Sequence, residues 1–268
     1  MRNNQCAYCN SFKTTDKYIV PKNNNNFLVP ELENIERKWC FCNNCKIYFS
    51  VPRLNKKQIK YMYDNYRSEN FRRETPDEYF DRIINYDPKY SENYHKTNWL
   101  RGKLKEGWEP NNILDIGSGG GVLLHTLGGI YKEASLFGVE PTSNFADLAS
   151  RRTRAEIKND YFKGKLFKNK LFELITCCQV LEHVVDLQDF LIDVNNSLAM
   201  GGYIYIEVPD ISDFNELPLD HSRFSEPSHL WYFSSEFLTE YFVSFGFKKI
   251  ADTVNKTVRK RNNLMMLL

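Results

Sequence analysis

The stretch Ile113-Leu-Asp-Ile-Gly-Ser-Gly-Gly-Gly121 decides the fold of this chain. It joins a short apolar strand, predicted at residues 112–116, to a helical pattern at residues 122–127. Glycine lets the backbone turn tightly and come close to a ligand, because a Cβ would collide with it. The start of the following helix adds unpaired N–H groups and a partial positive charge. This strand–loop–helix turn therefore predicts a nucleotide-type ligand site.

Strands and helices alternate after this turn, which is typical of a parallel, doubly wound sheet. Further strands are predicted at 136–139, 156–159, 172–178 and 203–208, and further helices at 144–152 and 187–198. The end of the chain differs. A helix is predicted at 234–245, followed by two strands at 248–253 and 258–267. The polar turn between these two strands favours an antiparallel pair.

The glycine loop departs from two well-known phosphate-binding patterns. A dinucleotide fingerprint needs Gly or Ala three positions after its second glycine, and Val122 stands there. A P-loop needs Gly-Lys-Ser/Thr, which the stretch lacks. Glu140 ends the second strand, nineteen residues after Gly121. An acidic side chain at that place can accept both ribose hydroxyls of a nucleoside, so we predict that Glu140 binds ribose.

Three more segments follow the glycine loop in a familiar order: Gly138-Val-Glu-Pro141, Phe172-Glu-Leu-Ile-Thr-Cys-Cys-Gln-Val-Leu-Glu-His183 and Gly201-Gly-Tyr-Ile-Tyr-Ile-Glu-Val-Pro209. Together they resemble the successive motifs of class I S-adenosylmethionine-dependent methyltransferases. The resemblance covers about residues 110 to 268. It implies a Rossmann-like α/β fold, whose doubly wound sheet has seven strands with the last one antiparallel, and it implies S-adenosylmethionine as the cofactor.

The resemblance also implies the cofactor-binding residues. The loop glycines would line the methionine part of the cofactor with an aspartate nearby, an acid would hold the ribose, and a glutamine would lie beside the cofactor. By position these are Asp115, Gly117, Gly119, Gly121, Glu140 and Gln179. The adenine-contacting acid of the family follows the third strand, near residues 159–161, and the motif there is too degenerate to choose a residue.

Two cysteine pairs precede this core. Cys6-x-x-Cys9 and Cys42-x-x-Cys45 are separated by thirty-two residues. Two residues between thiolates let both sulfurs converge on one ion, and four thiolates form the usual tetrahedral site of structural zinc. We therefore predict that these four cysteines bind zinc. Cys40 is an additional cysteine with poorer spacing, and it is left out of the predicted ligand set.

Three regions follow from these patterns. Residues 1–52 are predicted to form the cysteine-rich zinc-binding module, and residues 109–268 the methyltransferase core. Between them, residues 53–108 read as a helical lid or linker, with helices at 56–66, 76–85 and 89–105. A zinc-binding segment ahead of such a core resembles the sugar C-methyltransferases of deoxysugar pathways and related bacterial polysaccharide enzymes.

The segment after the fifth strand, residues 209–233, is where this family often receives its substrate. In Ser228-His-Leu-Trp-Tyr-Phe-Ser234, His229 resembles the base-bearing histidine of the sugar C-methyltransferases. A histidine suits general-base work on a sugar hydroxyl near neutral pH. We predict His229 as the base, with His221 and Glu226 as further catalytic candidates. His183 is expected to support packing.

Bulk properties limit the partners. The net charge of +2 predicts no broad attraction to nucleic acid or to a membrane, and the N-terminus lacks the apolar core of a secretory signal. We therefore expect a cytoplasmic enzyme that methylates a small sugar-containing or phosphorylated metabolite, such as a nucleotide-sugar, for bacterial surface polysaccharide or a secondary product. RNA methylation and a non-enzymatic cofactor-binding scaffold are the alternatives. The acceptor atom and the oligomeric state stay open.

Overall fold

The N-terminal region forms antiparallel strands in the computed structural model, which describes residues 5–20, 29–32, 35–66, 74–168, 170–217, 222–257 and 261–268. Its strands are β1 (Thr14–Val20), β2 (Arg37–Cys42) and β3 (Tyr48–Val51). β2 pairs with both neighbours, and a bulge interrupts its register with β1 between Asp16 and Tyr18. The first cysteine pair lies just before β1. In the second pair, Cys42 ends β2 and Cys45 lies in the turn before β3.

Three helices connect this region to the core: α1 (Lys56–Tyr66), α2 (Pro76–Ile84) and α3 (Glu92–Arg101). α2 begins at a capping box in which Thr75 and Glu78 satisfy each other's backbone N–H groups. α3 is shorter than the predicted 89–105. Residues Pro88–Tyr90 form a separate 3₁₀ turn, and Ser91 caps the helix that follows. Gly102, a poor helix former, comes directly after its last residue.

The core alternates strands and helices as predicted. Its strands are β4 (Asn112–Ile116), β5 (Ser135–Val139), β6 (Glu156–Lys158), β7 (Phe172–Cys178), β8 (Leu198–Pro209), β9 (Trp231–Tyr232), β10 (Ala251–Lys256) and β11 (Asn262–Leu267). Its helices are α4 (Val122–Ile130), α5 (Ser143–Arg152), α6 (Leu187–Ser197), α7 (Ser222–Ser225) and α8 (Ser235–Val243). The last two strands begin three and four residues later than predicted, at Ala251 and Asn262.

Seven of the described strands form one sheet in the order β10-β11-β8-β7-β4-β5-β6. The five strands from β8 to β6 are parallel, and β11 is antiparallel to both of its neighbours. The predicted doubly wound sheet with an antiparallel last strand is thus confirmed. The chain moves outward from β4 to β6 and returns on the other side of β4 at β7. This reversal opens a crevice at the carboxyl ends of β4 and β7, where ligands bind in such sheets.

The N-terminal sheet is completed by the core. β9 pairs with β3, with Phe49 opposite Trp231 and Tyr48 opposite Tyr232. One buried apolar cluster runs from Phe49 through Trp231 into the central sheet at Ile206. The residues that carry the cysteine pairs and the segment after β8 therefore share a sheet and a core. Within the described ranges, no helix has the length and apolar content needed to cross a bilayer.

Candidate active site

The glycine loop lies at the carboxyl end of β4, in the crevice of the sheet. Gly117, Gly119 and Gly121 have φ angles of 72°, 51° and 82°, in the left-handed region that favours glycine. A Cβ on Gly117 would lie 2.3 Å from Cγ2 of Val180. Only glycine therefore allows the loop to pack this closely against the end of β7, and the loop backbone is left bare toward the crevice.

Glu140 ends β5 and is only 2% exposed. One carboxylate oxygen accepts a hydrogen bond from the Gly119 N–H at 2.9 Å, and the other accepts one from the Thr142 N–H, also at 2.9 Å. A carboxylate has about four lone-pair sites, so each oxygen can accept one more bond. The buried hydroxyls of Ser118 and Thr142 have no hydrogen-bond partner among the described residues. These groups fit a nucleoside with a hydroxyl-bearing ribose.

Asp115 precedes the glycine loop and is almost fully buried. Oδ1 of its carboxylate accepts a hydrogen bond from the Thr176 hydroxyl at 2.7 Å. Burial raises the pKa of Asp115 to about 7, although the Thr176 hydrogen bond and the Lys96 charge act in the opposite direction. Burial thus favours the protonated form of the Asp115 carboxyl group.

A buried ion pair lies beside the loop, at the end of β8. Lys96 of α3 contacts Glu207 with 3.0 Å between Nζ and Oε1. The Glu207 carboxylate also accepts hydrogen bonds from the Tyr205 hydroxyl, from Asn263 and, at 3.4 Å, from the side chain of Gln179. Burial acts to lower the pKa of Lys96, but the charge of Glu207, its hydrogen bond to Lys96 and the nearby Cys178 and Glu92 together raise it. The predicted cofactor neighbour Gln179 is thus held by this network.

One cavity of about 680 Å³ joins the glycine loop to the segment that carries His229. Six of the residues predicted for the site lie on its wall: Asp115, Gly117, Gly119, Gln179, Glu226 and His229. Gly121 and Glu140 lie outside that wall, although Glu140 is bonded to Gly119. His221 falls outside the described residues. The cavity therefore brings the predicted cofactor loop and the predicted base together.

His229 is oriented by a chain of hydrogen bonds. The Tyr232 hydroxyl donates to the Arg223 carbonyl, so its oxygen must accept the proton that His229 carries on Nδ1, at 2.9 Å. Nε2 of the neutral ring is then a lone-pair acceptor. Burial lowers the pKa of His229 well below its ordinary value, and His183 and Arg37 lower it further. The ring is therefore neutral at neutral pH.

Glu182 and His183 lie next to His229 on a 3₁₀ turn, Leu181–His183. The two imidazole rings meet edge to face with 4.8 Å between their centroids. Nδ1 of His183 donates to the Ser228 carbonyl at 2.9 Å. Glu182 is fully buried, and neither of its carboxylate oxygens has a hydrogen-bond partner among the described residues. Burial raises the pKa of Glu182 to about 8.

Glu226, the other predicted catalytic residue in the described part of this segment, is bonded to its own loop. Its Oε1 accepts a hydrogen bond from the Ser228 hydroxyl at 2.7 Å. Glu226 also lines the cavity. One side of the cavity, the acceptor wall, is formed by Glu182, His183, Glu226, Ser228 and His229.

The N-terminal sheet holds the acceptor wall in place. Arg37 of β2 is fully buried and donates to two of its backbone carbonyls, that of Glu226 at 2.5 Å and that of His229. The backbone N–H of Leu230 donates to the Glu182 carbonyl at 2.8 Å, and Leu230 in turn accepts from Ser50 of β3 at 3.1 Å. The position of His229 thus depends on strands that begin almost two hundred residues earlier.

The four predicted zinc ligands converge. Cys6 Sγ lies 3.7 Å from Cys45 Sγ, and Cys9 Sγ lies 3.6 Å from Cys42 Sγ. All four sulfurs lie within 4.8 Å of one another. Thiolates at 2.3 Å from a tetrahedral zinc would be about 3.8 Å apart, so the donor set fits this ion.

Cys40 is separate from this cluster. Its thiol donates to Oδ1 of Asp16 at 3.2 Å, and burial with the nearby Asp16 raises its pKa to about 12. Cys40 is therefore held as a neutral thiol, which agrees with its omission from the predicted ligands.

Several residues of the site were missed from the sequence. Lys96, Arg37 and Asn263 lie on elements that show no local sign of a site, and only the folded chain brings them to the cavity or its wall. Glu207 did carry a signal, since it interrupts the apolar run of β8. His183 was expected to support packing; it packs against Tyr63 and His229 and also lies on the cavity wall.

A family model described as a methyltransferase domain matches residues 71–252 of this chain. The match spans the glycine loop, the β5 acid and the acceptor wall. The chain belongs to this family. With the glycine loop and the seven-stranded fold, it carries a class I S-adenosylmethionine-dependent methyltransferase domain.

Curated relatives of this methyltransferase are similar over part of its length. The ubiquinone biosynthesis O-methyltransferase of Coxiella burnetii (strain Dugway 5J108-111) is 29% identical over 140 residues, which cover 44% of this chain and 59% of the relative. The protein with the same activity from Glaesserella parasuis serovar 5 (strain SH0165) is 28% identical over 121 residues, 41% of this chain and 47% of the relative. The chain thus spans about half the length of the curated relatives it matches.

Solved structures share the fold of this methyltransferase at low sequence identity. An S-adenosylmethionine-dependent methyltransferase from Listeria monocytogenes superposes with a TM-score of 0.51 at 13% identity, covering 65% of this chain and 96% of the other. A complex between the Haloferax volcanii Trm112 methyltransferase activator and a methyltransferase gives 0.56 at 14% identity, covering 76% and 96%. These identities show the fold alone.

Proposed function

We propose that this methyltransferase transfers a methyl group to an oxygen atom of a small sugar-containing or phosphorylated metabolite. The observation that carries the proposal is the single cavity of about 680 Å³ that joins the glycine loop to the acceptor wall. Its volume lies within the range of small-molecule sites. Both carboxylates and cationic side chains line it, including Glu92, Arg82 and Arg261, which suits a polar acceptor.

Two similarities support the choice of acceptor. The curated relatives are O-methyltransferases, which favours oxygen as the methylated atom. The sequence around His229 resembles that of sugar-methylating enzymes, which favours a sugar such as a nucleotide-sugar in bacterial surface polysaccharide or secondary-product biosynthesis. We further propose that residues 53–108 cover the cavity, since Tyr79 and Arg82 of α2 and Lys96 of α3 lie on its wall.

S-adenosylmethionine supplies a methyl group already activated by its sulfonium, so the protein must mainly align the acceptor and exclude water. The loop at Gly117 and Gly119 would hold the cofactor, and Glu140 would accept the ribose hydroxyls. Nε2 of His229 would take the proton of the acceptor hydroxyl. The cofactor would supply the methyl group to the acceptor oxygen and would be left as S-adenosylhomocysteine.

The test is native mass spectrometry with S-adenosylmethionine, followed by a screen of nucleotide-sugars, sugar phosphates and RNA for methyl acceptance. We expect one bound cofactor per chain and methylation of a small molecule in the first two groups. Methylation of RNA alone would contradict the small-molecule acceptor. A folded protein that binds no cofactor would contradict the proposed activity.

We also propose that Cys6, Cys9, Cys42 and Cys45 hold a structural zinc ion. The sulfur–sulfur distances of 3.6 and 3.7 Å support this, because they match the edges of a thiolate tetrahedron. Such a site is closed, since all four positions are taken by protein. The ion would connect the start of the chain to the turn between β2 and β3, and would thereby stabilise the sheet that supports the acceptor wall.

A further inference from the structure

We propose that Lys96, Gln179 and Asn263 bind neighbouring hydroxyl groups of an uncharged sugar ring, the part of the acceptor next to the methylated oxygen. The three side chains surround Glu207, and the four residues are named the hydroxyl site below. This inference rests on the proposed function for methyl transfer, and it narrows the acceptor to a molecule with a sugar ring. The test of binding needs no methyl transfer.

Glu207, near the end of β8, holds the other three residues of the hydroxyl site in place. Its Oε1 accepts hydrogen bonds from Lys96 Nζ at 3.0 Å, from Asn263 Nδ2 at 3.1 Å and from Gln179 Nε2 at 3.4 Å. Its Oε2 accepts one from the Tyr205 hydroxyl at 3.0 Å. A carboxylate only accepts hydrogen bonds, so it turns the amide nitrogens of Asn263 and Gln179 toward itself and their oxygens away from it.

The polar atoms of these side chains that do not bond Glu207 are open to a ligand. An ammonium group carries three N–H donors, and among the described residues that of Lys96 bonds only Glu207. The amide oxygens of Gln179 and Asn263 have no hydrogen-bond partner in the described part of the chain, and both are accessible. All four residues line the cavity. The hydroxyl site therefore offers two donors and two acceptors.

This combination of groups suits hydroxyl groups better than an anion. The positive charge of Lys96 is matched by the negative charge of Glu207, so the hydroxyl site has no net charge with which to hold a phosphate or a carboxylate. A carboxylate or a phosphate dianion also brings no proton for the amide oxygens of Gln179 and Asn263. A hydroxyl group both donates and accepts hydrogen bonds. It can therefore donate to an amide oxygen while its own oxygen accepts from Lys96.

The place of the hydroxyl site in the sheet separates it from the ribose acid. Glu140 and the glycine loop lie at the ends of β5 and β4. Glu207 is on β8 and Asn263 on β11, which lie on the other side of β7 in the order β11-β8-β7-β4-β5. Asn263 pairs with Pro209, so it lies at the carboxyl end of β8, the end that faces the crevice. A ligand held there lies beyond the cofactor, in the part of the cavity left for the acceptor.

The test is saturation-transfer NMR of the full chain with S-adenosylhomocysteine present, using D-glucose, D-galactose, D-mannose and L-rhamnose as probes. We expect at least one of these sugars to bind saturably, and inorganic phosphate at the same concentration to leave it bound. Asn263→Leu should weaken binding of that sugar at least about tenfold, because a hydroxyl proton loses its acceptor and stays unpaired. Asn255→Leu, opposite Asn263 on β10 and outside the cavity wall, should bind as the wild type does.

A second variant tests the ion pair of the hydroxyl site. Lys96→Met combined with Glu207→Gln removes both charges together, so no unpaired charge is left buried. This double variant should also weaken sugar binding at least about tenfold. Lys89→Met, on the exposed turn before α3, is its control. Circular dichroism and calorimetric affinity for S-adenosylmethionine, both expected to match the wild type, show that each variant folds.

Failure of every probe sugar to bind the wild type, displacement of the sugar by phosphate, or equal binding by Asn263→Leu would overturn the hydroxyl site. So would a loss of S-adenosylmethionine affinity with unchanged sugar binding, which would assign these side chains to the cofactor. Methyl transfer is measured separately. Transfer to an acceptor without a sugar ring contradicts the hydroxyl site and leaves the proposed function standing. Sugar binding without transfer to any acceptor in the screen contradicts the proposed function and leaves the hydroxyl site standing.

Discussion

The cofactor half and the acceptor half of the cavity are built in different ways. The cofactor half comes from one short stretch of chain, in which β4, the glycine loop and the end of β5 bring Asp115 and Glu140 together. The acceptor half is assembled from distant segments: Glu182 follows β7, His229 precedes β9, and Arg37 of β2 holds the backbone of His229 across 192 positions of sequence. Under the proposed function, cofactor binding is therefore a local property of the core, and acceptor activation depends on segments far apart in the sequence.

This difference gives the N-terminal region a role beyond that of an appended module. β3 receives β9 as its neighbour, and Arg37 bonds the loop between α7 and β9. Damage to the N-terminal region should consequently lower turnover more than cofactor affinity. Damage to the glycine loop or its acid should do the reverse.

The largest difference between the effect on turnover and the effect on cofactor affinity is expected when one of the four clustered thiols is removed. Cys42→Ser should release the zinc ion and lower turnover at least ~100-fold, because binding of a structural zinc ion contributes folding free energy to the sheet around it. Affinity for S-adenosylmethionine should change by less than about threefold, since the core keeps its glycine loop. Zinc content by mass spectrometry, turnover and calorimetric affinity are measured on the same sample.

Cys40→Ser is the matched control, because Cys40 bonds Asp16 and lies outside the four-thiol cluster. It should keep its zinc ion and its turnover. A zinc-free Cys42→Ser protein with wild-type turnover would show that the acceptor wall does not need the N-terminal sheet.

A substitution in the cofactor half should have the opposite effect, lowering cofactor affinity more than turnover. Glu140→Ala should weaken S-adenosylmethionine binding about 100-fold, because two ribose hydroxyls lose a charged acceptor at roughly 1.5 kcal/mol or more each. Turnover at saturating cofactor should stay near the wild-type value. Glu156→Ala, which changes an exposed carboxylate on β6, is the control. Unchanged calorimetric affinity in Glu140→Ala would remove the ribose assignment.

The same contrast explains what the sequence could predict. Local patterns predict the sheet, its order of elements and the glycine loop. This is possible because a strand, a turn and a helix each depend on residues that are consecutive in sequence. Glu140 was predicted because it lies at a fixed place after that loop. The four cysteines were predicted because their spacing alone favours a metal site, and their sulfurs do converge.

The acceptor wall was harder to predict for a physical reason. Glu182 and His183 stand in a motif that was recognised, but their meeting with His229 depends on the tertiary packing of β9 against β3. Arg37 and Lys96 lie on a strand and a helix whose patterns give no reason to expect a buried cation. Their partners are backbone carbonyls and a carboxylate more than a hundred positions away in sequence. No local pattern encodes such a contact.

A substitution with a smaller expected effect tests whether the N-terminal sheet holds the loop that carries His229. Arg37→Met keeps the length of the side chain and removes the donors to the Glu226 and His229 carbonyls. Two buried carbonyls without donors cost about 1–3 kcal/mol each, so the loop should shift and turnover should fall roughly tenfold or more. Cofactor affinity should not change.

Lys38→Met is the control on the same strand, because Lys38 pairs with Asp16 away from the acceptor wall. Steady-state turnover and calorimetry compare the two variants. Equal turnover in both would contradict the supporting role of Arg37.

The smallest expected effect is a pH dependence within the cofactor half. Asp115 has an ordinary pKa of 3.8 and a folded pKa of about 7, and it faces Lys96 and Glu140. The folded state therefore holds a proton that the unfolded state has lost, so this group makes stability fall as pH rises from about 4 to about 7. Between pH 6 and pH 8, Asp115 alone should lower the free energy of unfolding by about 1.4 kcal/mol, the equivalent of one pKa unit.

Asp115→Asn should remove the contribution of Asp115 to the pH dependence of the unfolding free energy. Urea unfolding at pH 6 and at pH 8 measures that dependence. Asp147→Asn, a change on the exposed face of α5, should keep the wild-type pH dependence. Identical pH dependence in Asp115→Asn and the wild type would show that Asp115 titrates near its ordinary value.

The separation of the two halves is tested most directly by His229→Ala, with turnover and cofactor affinity measured together on the acceptor found by the screen. We expect turnover at least ~100-fold below that of the wild type, since removal of a catalytic acid–base group has effects of that order. We expect S-adenosylmethionine affinity within about threefold of the wild type. Wild-type turnover, or a loss of affinity as large as the loss of turnover, would contradict the division of the cavity into a cofactor half and an acceptor half.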